Sequence, residues 1–380
     1  MIYRKMNTAK EKLSILGFGC MRLPVTADGH IDEEQSTDMI RYAIDNGVNY
    51  IDTAYPYLNG ESEPFVGRAL AGGYRKKVNL ATKLPSWLIK SREDMDKYLD
   101  EQLSRLKTDH IDFYLVHGLN SMFWENLSTL RVTEFLDDAI ADGRIRYAGF
   151  SFHDNLPLFK EIIDSYEWTF TQIQYNFMDE QYQAGTKGLE YAAKKGLGII
   201  VMEPIRGGLL SRDLKGISEI WQTAEKHHEP AEWALRWVWN HPEVTVVLSG
   251  MSSPEQVRQN VTLAETGLPD SLTKKELGLF GKVKKELKKR IIIPCTGCRY
   301  CVPCPHGVSI PECFEMFNRG HIYEDDADAR QLYTMFLGGF FDGIPHYASC
   351  CQKCGECEEK CPQNLPIREN LKKVEAYFGK

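Results

Sequence analysis

The chain has 380 residues, a formal net charge of −7 at pH 7 and 43% hydrophobic residues. This length suffices for a large core and for more than one domain. The negative charge gives no electrostatic reason to expect nucleic acid or an acidic membrane surface as a partner. No apolar run approaches the ~20 residues that span a bilayer, so no membrane insertion is expected.

Up to about residue 265, short β-branched runs alternate with amphipathic stretches, which is typical of repeated βα units. Strands are predicted at LSILGFG, VNYIDTA, VNLATKL, IDFYLVHG, YAGFSF, TQIQYNF, LGIIVMEPI and VTVVLSGM. Helices are predicted between them, among others at Glu33–Asn46, Arg92–Leu106, Thr133–Ala141, Gly185–Lys195 and Pro254–Glu265. Three of these helices are followed by a glycine suited to a helix stop, at Gly47, Gly143 and Gly196. Strands and helices that alternate over about 250 residues favour an α/β fold of the (β/α)8 TIM-barrel type. No GxGxxG follows the first strand, which argues against a Rossmann domain.

Proton-active side chains stand where three of the predicted strands end. Asp52 ends the second strand, Lys83 the third and His117 the fourth, and Tyr57 follows in the loop DTAYPY. Barrel enzymes carry their chemistry at this end of the strands. A tyrosine beside a buried lysine can serve as a proton donor, because the cation favours the phenolate and is expected to lower its pKa from about 10.

The same four side chains have separate roles in this interpretation. Asp52 would keep Lys83 charged and oriented, and His117 would hydrogen-bond a substrate carbonyl or pass a proton to Tyr57. Taken singly, an ion pair or a core histidine explains each of them as well. Their convergence on one face makes catalysis the better interpretation.

Residues 13–265 resemble the aldo/keto reductase family. The matching stretches are LGFGCMRLP, GVNYIDTAYPYLNGESEPFVGRAL, LATKLP, IDFYLVHGL, AGFSFHD, QIQYN, VMEPIRGGLLS and SGMSSPEQVRQN. The resemblance implies reduction of a small-molecule carbonyl substrate by hydride transfer from NADP(H) or NAD(H), without a metal. It also implies that Asp52, Tyr57, Lys83 and His117 form the catalytic tetrad, with Tyr57 as general acid.

The resemblance further implies a set of cofactor-binding residues. Ser151 and Gln172 match residues that hydrogen-bond the nicotinamide carboxamide, and Met202 stands where an aromatic ring usually stacks on the nicotinamide. The remaining positions match the loop over the pyrophosphate and the adenosine end of the cofactor: Pro204, Ile205, Gly207, Gly208, Gly250, Gln256 and Asn260.

One departure concerns the choice between NADP and NAD. Gly250 and Gln256 replace basic partners of the 2′-phosphate that many relatives have, and Arg258 is the only cation nearby in that run. We therefore expect only a modest preference for NADP.

Cysteine content changes the composition near residue 290, since ten of the eleven cysteines lie at or after Cys295. Eight form two runs, Cys295-x2-Cys298-x2-Cys301-x2-Cys304-Pro and Cys351-x2-Cys354-x2-Cys357-x3-Cys361-Pro. This spacing is typical of two [4Fe–4S] clusters, in which the fourth thiolate of each run binds the other cluster. One cluster is then expected on Cys295, Cys298, Cys301 and Cys361, and the other on Cys351, Cys354, Cys357 and Cys304.

Zinc and disulfides are the alternatives for these cysteines. Zinc ribbons use two separated CxxC pairs, and successive CxxC steps suit a cubane better. The start MIYRKMNTAK has no signal-peptide pattern, so a reducing cytoplasm is expected and disulfides are disfavoured. Cys304 departs from the usual pattern, because two residues instead of three precede it.

The expected organisation is a barrel over residues 1–285 and a mainly α-helical ferredoxin-like domain over residues 286–380. The segment between the two cysteine runs has helical periodicity.

The predicted function is an NAD(P)-dependent iron–sulfur oxidoreductase. A hydride carries two electrons and a cubane accepts one, and no flavin motif is recognised in the sequence. The clusters could serve a separate redox protein partner, act with an unrecognised flavin or radical step, or be structural. Alternative functions are electron transfer or redox sensing by a nucleotide-binding protein, or a regulatory subunit, without carbonyl turnover.

Overall fold

A closed barrel of eight parallel strands forms the first part of the computed structural model, which describes residues 1–295, 297, 299–340 and 342–379. A short antiparallel hairpin precedes it. The strands are β1 (Tyr3–Lys5), β2 (Lys12–Ser14), β3 (Leu16–Gly19), β4 (Tyr50–Asp52), β5 (Asn79–Leu84), β6 (Ile111–Leu119), β7 (Ile145–Phe152), β8 (Phe170–Gln174), β9 (Gly198–Met202) and β10 (Val244–Ser249). Around the barrel, β3 to β10 follow chain order and β10 pairs with β3. Each predicted strand supplies one barrel strand, which confirms the TIM barrel.

Apolar side chains fill the barrel at the amino ends of the strands. Met6 and Leu13, from the hairpin region, lie in one buried cluster with Tyr50 and Phe170, which begin β4 and β8. Met6 approaches Gly198 so closely that a Cβ at this position would clash with its sulfur. The carboxyl ends of the strands are therefore the end available for chemistry.

Helices connect the strands and continue after the barrel. Their bounds are α1 (Glu33–Asp45), α2 (Ser62–Ala69), α3 (Arg92–Leu106), α4 (Ser121–Thr129), α5 (Val132–Ala141), α6 (Leu156–Ser165), α7 (Gly185–Lys194), α8 (Ser218–Trp221), α9 (Pro230–Trp239), α10 (Pro254–Leu263), α11 (Lys274–Lys288), α12 (Ile310–Tyr323), α13 (Asp326–Leu337), α14 (Glu356–Glu359) and α15 (Ile367–Phe378). The expected stops after α1, α5 and α7 are confirmed, since Gly47, Gly143 and Gly196 have φ of 98°, 83° and 85°. A capping box between Ser91 and Asp94 starts α3 at the predicted residue.

Contacts divide the chain into two compact units. The first comprises Met1–Ser211 and His228–Thr273, and the second comprises Arg212–His227 and Lys274–Lys380. Helix α11 belongs to the second unit because it packs on α8, where the rings of Trp221 and Phe280 lie 5.1 Å apart. The boundary expected between residues 285 and 286 lies inside α11.

The second unit is helical, as predicted for the segment between the cysteine runs. Its core includes Phe314 of α12, Tyr333 of α13 and Phe378 of α15. The Asn318 side chain accepts a hydrogen bond from the Ile293 backbone N–H at 2.9 Å and donates one to its carbonyl at 2.7 Å. The segment that leads into the first cysteine run is thus fixed to the helical core. Within the described ranges, no helix has the length and apolar character needed to cross a bilayer.

Candidate active site and cysteine centres

A buried lysine lies between two of the predicted catalytic groups. Lys83 Nζ is 2.7 Å from Asp52 Oδ1 and 3.3 Å from the Tyr57 hydroxyl, and it also donates to the Thr53 carbonyl at 2.8 Å. Asp52 is the last residue of β4, and Lys83 lies on the adjacent β5. Parallel pairing of these strands brings their carboxyl ends together, so the two charges meet at the end of the barrel where the sequence places the site.

A tight turn brings Tyr57 back over the lysine. Its backbone N–H donates to the Ala54 carbonyl at 3.1 Å, and Leu58 and Asn59 have positive φ of 50° and 55°. The chain thereby reverses directly after β4. This geometry holds the phenol within hydrogen-bond range of the Lys83 ammonium.

Burial and charge oppose each other at these groups. Burial disfavours the Lys83 charge, but attraction by Asp52 and Tyr57 prevails and raises the pKa of Lys83. Burial raises the pKa of Asp52, against the effect of Lys83. The expectation of a lowered Tyr57 pKa is wrong in its net direction, because burial raises the pKa of Tyr57 more than the Lys83 charge lowers it.

His117 lies beside this group and is neutral at pH 7. Burial lowers its pKa well below the ordinary value, with smaller contributions from Lys83 and His153. Its ring is 6.2 Å from the Tyr57 ring and 5.2 Å from the Trp87 ring, between centroids. Its Nδ1 is buried without a hydrogen-bond partner in the part of the chain that the structure describes. A neutral imidazole of this kind can donate one hydrogen bond to an oxygen that enters the site.

Two side chains on neighbouring strands are suited to bind a carboxamide. Ser151 and Gln172 are paired across β7 and β8 and are both buried. The Ser151 hydroxyl oxygen accepts from the Gly118 N–H at 2.7 Å, which leaves its proton available. Gln172 Nε2 lies 3.6 Å from the Met202 sulfur, and Gln172 Oε1 has no partner among the described residues. A buried amide oxygen without a partner is costly, so a ligand that donates to it fits this site.

The loop assigned to the pyrophosphate has the backbone that close approach to a ligand requires. After Pro204 and Ile205 the chain turns through Gly207 and Gly208, whose φ values are 67° and 99°. Gly208 donates its N–H to the Ile205 carbonyl at 3.0 Å. Positive φ at both positions favours glycine there.

At the positions assigned to the adenosine end, the polar groups bond to one another. Gln256 Oε1 accepts from the Ser252 N–H at 2.8 Å, and Asn260 Nδ2 donates to Ser249 Oγ at 3.0 Å. Arg258 pairs with Glu255 at 3.3 Å. These groups would have to exchange their partners to contact a nucleotide.

The sequence analysis did not single out three residues that contribute to this site. Trp87 packs against His117, and Arg22 lies along Gly250, where its Cδ would be 3.3 Å from a Cβ. Gln102 of α3 donates to the Lys83 carbonyl at 3.0 Å and to the buried carboxylate of Glu63 at 2.7 Å. Trp87 and Arg22 are each the third residue after the end of a strand, β5 and β3 respectively, which is a signal that sequence reasoning could have used. Gln102 gives no such signal, because its role depends on the packing of a helix on a strand.

The described cysteines of the two runs line two recesses in the second unit. The first recess is lined by Cys295, Cys301 and Cys361, and the second by Cys301, Cys304, Cys351, Cys354 and Cys357. Cys361 thus lies with the first run, and Cys304 lies with the second. Cys298 lies outside the described residues.

These thiols fit two iron–sulfur clusters. A cubane requires one thiolate per iron, and each recess brings together sulfurs from both ends of the cysteine-rich region. The exchange of the fourth ligand expected from the sequence stays a prediction, because Cys301 lines both recesses and Cys298 lies outside the described residues. Cys20, Cys313 and Cys350 do not line either recess.

A barrel with proton-active groups at the carboxyl ends of its strands, joined to a cysteine-rich helical unit, has the architecture of an enzyme fused to a ferredoxin-type module. The model of the aldo/keto reductase family matches residues 15–275, and that of a 4Fe-4S dicluster domain matches residues 294–366. The chain belongs to the aldo/keto reductase family and is an oxidoreductase with a 4Fe-4S domain.

Several proteins are similar to this chain over about three quarters of its length or somewhat less. The uncharacterized oxidoreductase YqkF of Bacillus subtilis is 26% identical over an alignment of 318 positions that covers 75% of this chain and 98% of that protein. The NADH-specific methylglyoxal reductase of Escherichia coli is 27% identical over an alignment of 313 positions that covers 70% of this chain and 94% of that protein. Among solved structures, the holo form of aldo-keto reductase AKR11C1 from Bacillus halodurans matches with a TM-score of 0.64 and 27% identity, covering 74% of this chain and 96% of that chain.

Proposed function

We propose that this protein reduces a small aldehyde or ketone with NADPH or NADH, and that Tyr57 is the general acid. The observation that carries the proposal is the position of Lys83 Nζ, 2.7 Å from Asp52 and 3.3 Å from the Tyr57 hydroxyl. The cation stabilises the phenolate that forms when Tyr57 gives up its proton. The methylglyoxal reductase among the relatives supports a small carbonyl compound as substrate.

Each residue has a stated part in this proposal. When bound, the nicotinamide supplies a hydride from its C4 to the carbonyl carbon. His117, neutral because it is buried, donates a hydrogen bond that orients the carbonyl oxygen, and Tyr57 donates the proton to that oxygen. Asp52 keeps Lys83 charged throughout.

The cofactor is proposed to lie across the strand ends next to these groups. Gln172 Oε1 would accept a hydrogen bond from the carboxamide and Ser151 would donate one to it, while Met202 would pack on the ring. The loop of Pro204, Ile205, Gly207 and Gly208 would hold the pyrophosphate, and Gly250, Gln256 and Asn260 would hold the adenosine end.

Two [4Fe–4S] clusters are proposed on the two sets of four cysteines expected from the sequence. A hydride carries two electrons, whereas each cluster exchanges one at a time. We therefore propose that the clusters exchange electrons with a separate redox protein in the cytoplasm.

The test is turnover by anaerobically prepared protein that holds its clusters. NADPH and NADH oxidation would be measured with a series of small aldehydes and ketones for the wild type, Tyr57→Phe and Tyr55→Phe. Tyr57→Phe is expected to lower kcat by ~10²–10⁴-fold while nucleotide affinity changes little, because only the proton is removed. Tyr55→Phe is the matched control. Tyr55 lies in the same loop as Tyr57, but its hydroxyl donates to Glu101 of α3 at 3.2 Å and not to the proposed catalytic groups.

The dicluster domain favours electron transfer or redox sensing as a second candidate function. If the protein binds nucleotide and reduces no carbonyl compound, electron transfer or redox sensing becomes the better proposal. A regulatory subunit would instead be indicated by a stable partner that co-purifies with the protein. Full carbonyl turnover by Tyr57→Phe would contradict the role given to Tyr57.

A further inference from the structure

The two cysteine recesses differ in the polarity of their walls. Apart from its cysteines, the first recess is lined mainly by apolar side chains, including Pro311, Phe314, Leu365 and Ile367. The second recess also has apolar side chains, such as Val308 and Leu371, but it adds several polar ones, including His306, Gln352, Glu356 and Lys360. In addition, Cys354 of the second recess is exposed to solvent, while the other cysteines of that recess and the described cysteines of the first are partly buried.

Each recess also contains one arginine whose carboxylate partner is not part of the wall. Arg299 lines the first recess and pairs with Glu312, and Arg368 lines the second and pairs with Glu358. The Arg368 guanidinium is held by two hydrogen bonds to Glu358, of 2.7 and 3.0 Å. Lys360 and Glu356 both line the second recess and form an ion pair at 3.7 Å, so their charges largely cancel.

One-electron reduction adds negative charge to a cluster, and its free energy depends on the surroundings. Polar walls, solvent and nearby cations stabilise the added charge, whereas an apolar wall leaves it poorly solvated. We infer that the site of Cys304, Cys351, Cys354 and Cys357 has the higher reduction potential of the two, and that Arg368 raises this potential as Arg299 raises that of the other site. The inference rests on the proposed ligand sets and on no step of the barrel chemistry.

The consequence is a fixed order of reduction. An electron supplied to the domain by a low-potential reductant is expected to reduce the more polar site, which contains the exposed Cys354, first. The other site is reduced only when the potential is lowered further. The two sites would therefore act in sequence and not as an equivalent pair.

The test is a potentiometric titration of anaerobic protein that holds both clusters, with dithionite as reductant and electron paramagnetic resonance as the readout. Wild-type protein is expected to show two separate one-electron steps. Arg368→Gln should move the first step, at higher potential, to lower potential and leave the second in place. Arg299→Gln, which also removes a surface arginine paired with a glutamate, should move only the second step.

Two further variants distinguish a charge effect on the potential from loss of a cluster. Glu358→Gln and Glu312→Gln remove the partner carboxylates and keep the arginines, so they should raise the first and the second step, respectively. Iron and sulfide analysis of every variant would show whether the ligand sets are intact, separately from the potentials. A single unresolved step in the wild type, a shift of the second step by Arg368→Gln, or no shift with any variant would overturn the inference.

Discussion

Lys83 is expected to contribute both to the stability of the barrel and to its proposed chemistry. Its side chain and that of Asp52 are almost fully buried, with 1% and 3% exposure. Removing one partner of a buried ion pair leaves the other charge uncompensated, which costs about 3–5 kcal/mol. Replacement of Lys83 also removes the cation that favours the Tyr57 phenolate.

We therefore expect Lys83→Met to lower kcat for carbonyl reduction by ~10²-fold or more and to lower the thermal unfolding midpoint. Steady-state kinetics and thermal unfolding of the anaerobic protein would measure both effects. Lys77→Met is the control, because Lys77 and Asp45 form a surface pair, with 52% and 48% exposure. Such exposed pairs contribute little to stability. Equal losses in the two variants would contradict the role given to Lys83.

The pH dependence of reduction follows from the directions of two pKa shifts. The pKa of Tyr57 is raised above 10 by burial, so the proton donor stays protonated as the pH rises through the neutral range. The pKa of His117 is lowered well below 6.5 by burial, so it stays neutral as the pH falls towards that value. We expect kcat/KM for reduction to be flat between about pH 7 and 9. A bell-shaped profile centred inside this range would contradict the prediction, and Tyr57→Phe would show which limb belongs to the phenol.

The proposed nucleotide preference rests on side chains near α10. Gln256 bonds to Ser252 and Arg258 pairs with Glu255, so neither is poised for a 2′-phosphate. We expect calorimetry to give a preference for NADP over NAD well below the several kcal/mol of a well-formed arginine–phosphate site. A strong preference that disappears in Arg22→Gln would instead identify Arg22, which lies along Gly250, as the phosphate partner.

At the scale of elements, α2 and α3 pack closely beneath the strand that carries Lys83. A Cβ at Gly67 of α2 would lie 2.7 Å from the Arg105 carbonyl oxygen and 2.8 Å from the Leu106 carbonyl carbon. Both are backbone atoms of α3, so a clash there cannot be relieved by a change of rotamer. The Glu63–Gln102 hydrogen bond, which continues to the Lys83 carbonyl, spans the same two helices.

We expect Gly67→Ala to destabilise the protein by about 1–3 kcal/mol, as small-to-large changes in packed interiors do. Gly278→Ala on α11 is the matched control, because nothing lies within 4 Å of a Cβ there. That change should be neutral or stabilising by up to about 1 kcal/mol, through helix propensity. Denaturant unfolding of both variants would measure the difference, and equal stability would show that α2 can shift away from α3.

At the scale of the whole molecule, iron content tests the second unit independently of the barrel. Two cubane clusters predict about eight irons and eight sulfides per chain in protein made anaerobically. Cys354→Ser should lower the iron content. Cys20→Ser, Cys313→Ser and Cys350→Ser should leave it unchanged, because these residues do not line the recesses. Stoichiometric zinc without labile sulfide would contradict the cluster assignment.

The sequence by itself determined the features that depend on local spacing. The alternation of β-branched runs and amphipathic stretches gave the barrel, because periodicity decides which face of an element is buried. The glycines after α1, α5 and α7 gave the helix ends, because they supply a positive φ. The cysteine spacing predicted a dicluster domain, because sulfurs two residues apart can curl around one cluster.

Only the tertiary structure decided the features that depend on what surrounds a group. The sign of the Tyr57 pKa shift results from burial competing with the Lys83 charge, and the extent of burial cannot be read from residue spacing. The contact of Gln102 with the Lys83 carbonyl and the position of Arg22 along Gly250 join residues far apart in the chain. The different walls of the two cysteine recesses arise in the same way, because each wall is assembled from segments that meet only in the folded domain.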